Sequence, residues 1–372
     1  MSLPAFINGL PDELLLTVFR LSCGTLEETR TLLAISQVCR RWRLLAHDPF
    51  FARLFQRYRD HRSCTLVLAH VHKILASSLP ASCPSVIIAG VGAGEQLESL
   101  NLEESGLSAL PDLSFLTSLR TLSLGNNKFS VPPDVSALTQ LRELTLEENI
   151  LTSIPKMSAL ESLEELSLEG NQLALGPPLS FPVLPRLQIL NLSGNKLATF
   201  PDLSLLVELR HLSFGDNCLT GFPNLSGLVQ LEYIDFDNNL ISRVDKHDLK
   251  PLVALEELHL NSIKLRSFPN VRLAGLSTLA LKGNKLKTCP DLGSFPGVKC
   301  LDLSCNQLTT LVNLEALGEL EYLLVSNNSL SELPHFQELP NLLFVNVRNN
   351  RQLRGASKST QYHHGGACTI KF

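Results

Sequence analysis

The sequence lacks the features that would place it in several common functional classes. Its nine cysteines, at 23, 39, 64, 83, 218, 289, 300, 305 and 368, contain no C-x-x-C pair. An odd, scattered set offers neither a zinc-finger spacing nor a dithiol redox motif, and fits free thiols in a reducing compartment. No apolar run has the length needed to cross a membrane. Asp12 and Glu13 interrupt the single amino-terminal stretch that could pass for a secretory leader. Cys368 stands fifth from the end, whereas prenylation needs a cysteine fourth from the end. Net charge is also scarce: 32 basic against 36 acidic residues leave about −4, too little for a general field that would attract nucleic-acid phosphates or an anionic membrane. These absences predict a soluble, cytoplasmic chain with no nucleic-acid or membrane partner and no cofactor.

What is present is a globular composition, with 44% hydrophobic and 18% charged residues over 372 positions, enough for two domains. A repeat dominates it. The pattern L-x-x-L-x-L-x-x-N-x-L starts at Leu119, where Leu122, Leu124, Asn127 and Phe129 complete it, and recurs from Leu141, Leu163, Leu187, Leu209 and Leu231. It continues from Leu255, Leu276, Val298, Leu320 and Leu342, with a degenerate copy from Leu97, giving twelve copies spaced by 21 to 24 residues. The stretch from 97 to 353 resembles the leucine-rich-repeat family. One such repeat cannot bury its apolar face alone, whereas a stack builds a continuous core.

The asparagine column (127, 149, 171, 195, 217, 239, 284, 306, 328 and 350) is read as structural, because an amide both donates to and accepts from the turning backbone of neighbouring coils. Ser105 and Ile263 break the column, and the ladder is expected to weaken there, most of all at the eighth copy. Prolines 111, 133, 155, 201, 223, 269, 290 and 334 recur in the return segments and favour 3₁₀ turns and extended pieces over long helices. Residues 64–96, with Val86-Ile87-Ile88, are placed to cover the first coil, and 354–372 form a polar tail. His363, His364 and Cys368 in that tail read as a solvated segment sooner than as metal ligands.

Ahead of the repeats the period becomes helical. Pro11 suits a first helical position, Asp12 and Glu13 complement the helix dipole, Gly24 stops the helix, and Thr25 with Glu28 has capping-box spacing. The string LPDELLLTVF at 10–19, followed by VCRRWRLLAHDPFFARLF at 38–55, resembles an F-box over about 45 residues. The link between Ser22 and Thr31 is longer than that family usually has. The resemblance implies that Leu10, Pro11, Leu14, Leu15, Val38, Cys39 and Trp42 help dock the adaptor subunit of a cullin-based ubiquitin ligase, though some must serve the module's own core. Seven arginines between 40 and 62 read as a solvated helical face.

The expected fold class is therefore α/β: a leucine-rich-repeat solenoid with a concave parallel sheet (97–353), preceded by a small all-α F-box-like module (1–60) and a linker and cap (61–96). Residues between the strand leucines should face out from the sheet. They supply Glu143, Glu147, Glu165 and Glu169, with Glu103 nearby, then Tyr233, Asp235, Asp237, Glu257 and His259. Farther on come Lys282, Cys300, Tyr322, Leu324, Phe344 and Arg348, trading acid for apolar surface of the kind enriched at interfaces. Ser213, Asp235 and His259 fall in three successive coils, but the acid stands between nucleophile and base, the wrong order for a triad. His211, Asp235 and His259 as a metal set is the weaker of two readings, the other being a plain surface.

The function expected is a non-catalytic adaptor, the substrate-recognition subunit of an SCF-type ligase, with adaptor and cullin as partners and an unidentified target on the repeats. A repeat scaffold or phosphatase regulator is the rival, and a bacterial effector that exploits a host ligase is the alternative origin. An extracellular receptor fragment fits least, and its N-x-S matches start at Asn191, Asn224 and Asn327.

Overall fold

In a computed structural model, residues 65–67, 98–110, 113–114, 116–173, 179–333, 336–353 and 368–371 are described. The expected helical module, the docking residues Leu10, Pro11, Leu14, Leu15, Val38, Cys39 and Trp42, and the segment Val86–Ile88 lie outside them. The chain divides into two compact units, one of residues 1–172 with 182–184 and one of 173–181 with 185–372.

The first unit carries a parallel sheet of β1 (Thr65–Val67), β2 (Ser99–Asn101), β3 (Thr121–Ser123), β4 (Glu143–Thr145) and β5 (Glu165–Ser167), paired in that order. The second carries β6 (Ile189–Asn191), β7 (His211–Ser213), β8 (Tyr233–Asp235), β9 (Glu257–His259), β10 (Thr278–Ala280), β11 (Cys300–Asp302), β12 (Tyr322–Leu324), β13 (Phe344–Asn346) and β14 (Thr369–Lys371), again parallel and in order. Each of the twelve repeat copies supplies one strand, β2 to β13. Two more strands appear where no repeat signature stands: β1 pairs on β2, and β14 pairs on β13 at a place read as tail. Thr369-Ile370-Lys371 has one apolar residue and none of the leucine register, so composition hid it.

The leucine register explains the core. In the second copy Leu119, Leu122, Leu124 and Phe129 are all fully buried, and the same positions are buried in every later copy except at Gln352, the last position of the copy from Leu342, which is exposed. At about 2 kcal/mol for each fully buried leucine, stacking is the main source of stability. Prolines 133, 155, 201, 223 and 290 are buried in the return wall, while Pro269 is half-buried. Among the described residues the return segments hold 3₁₀ turns at Leu292–Ser294, Leu314–Ala316 and Phe336–Glu338 and one short helix, α1 (Lys246–Leu249), in keeping with the proline pattern.

The asparagines stitch the coils. Asn239 Nδ2 lies within bonding distance of the carbonyls of Phe214 (2.9 Å), Phe236 (3.1 Å) and Asp237 (3.1 Å), and its Oδ1 accepts the Leu219 amide at 3.0 Å. Asn149 repeats the pattern with Leu124, Leu146, Glu147 and the Phe129 amide. Each asparagine thus satisfies buried backbone groups of its own coil and the one before it. Ser105 and Ile263 do not, and both coils respond alike. Where other coils place one residue in the left-handed region ahead of the asparagine, these two place a pair, Glu104 with Gly106 and Ser262 with Lys264. The eighth coil also substitutes a different stitch: Asp237 accepts the Asn261 amide at 2.6 Å and its Nδ2 at 2.7 Å, and Asn261 Oδ1 accepts the Lys282 amide at 2.7 Å.

Candidate partner-binding face

Every described strand from β2 to β13 buries its central residue and turns the flanking ones toward the open face of the sheet. Of the expected face residues, Glu143, Glu165, Tyr233, Asp235, Glu257, His259, Cys300, Tyr322, Leu324 and Phe344 flank a buried strand centre, and with their neighbours they fall into three zones.

In the first unit Glu143 and Glu165 are direct partners across β4 and β5, a like-charge pairing that works against the sheet. Glu143 accepts a long hydrogen bond from the Thr121 hydroxyl (3.4 Å), and Glu147 accepts one from Ser167 (3.5 Å). Burial first, then the charges of Glu103 and Glu169, raise the pKa of Glu147 above the usual glutamate value. Gly125 makes room for this side chain, since a Cβ there would stand 2.9 Å from Glu147 Cγ. The zone is a row of carboxylates that gathers negative charge around Glu147.

In the second unit β7, β8 and β9 bring His211, Tyr233 and Glu257 into one row and Ser213, Asp235 and His259 into the next. Rings span the rows: His211 stacks on Tyr233 at 5.7 Å between centroids, and Tyr233 meets His259 at 5.2 Å. His259 Nε2 lies 3.3 Å from Glu257 Oε2. Burial, reinforced by Asp235, Glu257 and Asp237, pushes the Tyr233 hydroxyl up to about 12. Burial also raises Asp235, partly offset by the Asp237 amide that it accepts at 2.8 Å. Asp237 is tied to Asn261 as described above. Sequence columns brought these residues together; the ring stacking was beyond them, because it depends on side-chain orientation across coils.

The aspartate does stand between Ser213 and His259, so the order that argues against a nucleophilic triad holds in three dimensions. Among the described residues no group of three or more His, Cys, Asp or Glu side chains is arranged to hold a metal ion.

The third zone, on β11 to β14, places Cys300, Tyr322, Phe344 and Thr369 in one row and Asp302, Leu324, Asn346 and Lys371 in the next. Tyr322 is exposed, and burial raises the Cys300 thiol. Phe344 is half-covered by β14, whose Lys371 ammonium sits 5.0 Å from the ring centroid. The apolar zone is thus narrower than the sequence columns imply.

Two matches to N-x-S have local explanations. Asn224 Oδ1 accepts the Ser226 amide at 3.1 Å, as Asp202 does for Ser204, and Asn191 Oδ1 accepts the Ser193 amide at 3.0 Å. Both asparagines close Asx turns.

A family model described as F-box-like matches residues 7–57, and leucine-rich-repeat models match 118–138, 186–206 and 207–251. The chain therefore joins an F-box-like segment to leucine-rich repeats, two kinds of module that typically serve protein interaction and not catalysis. Comparison with curated proteins finds no match. Among solved structures, an internalin (InlF) of Listeria monocytogenes aligns with TM-score 0.56 at 19% identity, covering 85% of this chain and 96% of that one. The functional domain of InlJ from the same organism aligns with TM-score 0.56 at 22% identity over 70% of this chain. The chain spans about half the length of that domain, 55%. A chain of the Drosophila Toll–Spatzle complex aligns with TM-score 0.51 at 20% identity, over 72% of this chain and 45% of that one. These likenesses fix the architecture as a leucine-rich-repeat solenoid. Among the described residues no helix is long and apolar enough to cross a membrane.

Proposed function

We propose that this protein is the substrate-recognition subunit of a cullin-based, SCF-type ubiquitin ligase, acting in the cytoplasm and contributing no catalytic group. The observation that carries the proposal is the union of an F-box-like segment at 7–57 with an array of repeats in one chain. In this reading Leu10, Pro11, Leu14, Leu15, Val38, Cys39 and Trp42 dock the adaptor, which bridges to the cullin. The open strand face holds the target through Glu143, Glu147, Glu165, Glu169, Tyr233, Asp235, Asp237, Glu257, His259, Tyr322, Leu324 and Phe344. Its carboxylates favour a basic segment of the target, and its aromatic rings give that segment a rigid apolar floor. Holding a target beside the transfer machinery raises its effective concentration, so the contribution is proximity.

The test is a pull-down from eukaryotic cell extract with the intact chain beside a Leu10→Ala/Pro11→Ala variant, probed for adaptor and cullin. Recovery by the intact chain alone is expected. Absence from both sinks the ligase reading and leaves a repeat scaffold.

A further inference from the structure

The last strand of the second unit is unlike the rest of its sheet. Between earlier coils the return segments bury large apolar side chains: Leu314, Leu317 and Leu320 between β11 and β12, then Phe336, Leu339 and Leu342 between β12 and β13. Residues 354–367, which separate the last repeat copy from β14, include no leucine, isoleucine, valine or phenylalanine and have glycine at 355, 365 and 366. The strand itself is equally sparse. From β6 to β13 every central residue is buried, whereas Ile370 is half-buried and its neighbours Thr369 and Lys371 are exposed.

β14 nevertheless reproduces the backbone bonding of a repeat coil. The Thr369 amide donates to the Leu343 carbonyl at 2.9 Å, as the Phe344 amide does to Glu321 at 3.0 Å. The Val347 amide donates to the Lys371 carbonyl at 2.9 Å, as the Val325 amide does to Asn346 at 2.9 Å. The register sets Ile370 beside Val345, and the Lys371 ammonium lies 5.0 Å from the Phe344 ring centroid. The seat on β13 thus has three parts: a backbone ladder that suits any extended segment, a fully buried valine at its centre, and an aromatic ring that takes a cation.

We propose that β14 is an exchangeable occupant, and that its seat on β13 receives an extended segment of a partner protein in which a β-branched apolar residue is followed by lysine or arginine. Such a segment adds a strand through main-chain bonds and is selected by its side chains. A partner strand of the usual length, about five or six residues, makes more of those bonds than β14 does. A second copy of this chain offers the same short strand, so exchange between copies breaks as many bonds as it makes. A strand laid outside β14 would meet the half-buried Ile370 in place of Val345 and Phe344. Its tether holds β14 at a high local concentration, so the seat binds a partner more tightly once β14 is loosened.

The test is fluorescence anisotropy of the full chain with a labelled peptide, Ser-Thr-Ile-Lys-Thr-Ser, beside counterparts with serine for isoleucine or glutamate for lysine. Loosening β14 with Ile370→Ser/Lys371→Ser is expected to raise affinity for the first peptide at least tenfold over the intact chain. Removing residues 368–372 should do the same without substituting a side chain. Each counterpart should bind the loosened chain at least tenfold more weakly, and Phe344→Leu should reduce the preference for lysine over glutamate severalfold. Melting temperatures near that of the intact chain show that the variants fold. Equal binding by the intact and loosened chains, binding indifferent to either peptide substitution, or a lysine preference undiminished by Phe344→Leu overturns the proposal. So does light scattering that finds a dimer of the intact chain and none of the loosened one, since the occupant is then a second copy. Neither adaptor nor cullin takes part, so failure here leaves the ligase reading standing.

Discussion

The carboxylates of β4 and β5 and those of β8 and β9 occupy equivalent repeat columns yet live differently. Glu143 faces Glu165, and the bonds to Glu143 and Glu147 are long ones from hydroxyls. Asp235 and Asp237 instead accept backbone and side-chain amides at 2.6 to 2.8 Å and stand beside stacked rings. In the first unit the sheet crowds like charges, with Glu103 and Glu169 acting on Glu147. In the second, aspartate charge is partly spent on fixing the surface. The same scaffold can therefore present an electrostatic attractor in one place and a preorganised recognition floor in another.

The largest expected effect tests whether the scaffold is indeed the same. Asn149→Ala and Asn239→Ala each strand several buried backbone groups and should each cost about 3 kcal/mol or more in urea unfolding. A loss confined to one unit would break the comparison at its root. Next, Asp237→Ala should destabilise by about 1–2 kcal/mol, since the Asn261 groups lose their acceptor. Glu147→Ala should instead be neutral or stabilising, so the two substitutions differ in sign.

A smaller effect follows from acidity. Glu147 has a folded pKa raised above its unfolded value, so the folded state holds the proton longer and stability declines as pH rises from the ordinary glutamate range through the raised value. Glu147→Gln should remove this decline, giving a slightly higher Tm at neutral pH and no advantage in acid. The smallest effect is spectroscopic: Tyr233→Phe should barely change stability while deleting a phenolate absorbance step near about pH 12.

The repeat columns made most of this legible. Leucine spacing, the asparagine ladder, the outward acid positions and the two broken rungs at Ser105 and Ile263 all follow from periodic placement, because stacking forces equivalent residues into equivalent environments. The strands β1 and β14 were hidden, since a terminal coil can pair its backbone without the leucine signature. Lys371 over Phe344 and the ring contacts of Tyr233 were hidden for a second reason: they depend on rotamers that no period encodes. The doubled left-handed residues at the broken rungs were foreseeable only in that something had to replace the missing amide.

The most direct test of the account is ubiquitin-remnant profiling in cells expressing the intact chain, the Leu10→Ala/Pro11→Ala variant or the Glu143→Lys/Glu165→Lys variant. The account predicts a set of proteins modified only with the intact chain. The docking variant should still capture that set without adaptor, and the charge-reversed variant should recover adaptor without the set. Modification that persists with the docking variant, or capture that ignores the charge reversal, would contradict it.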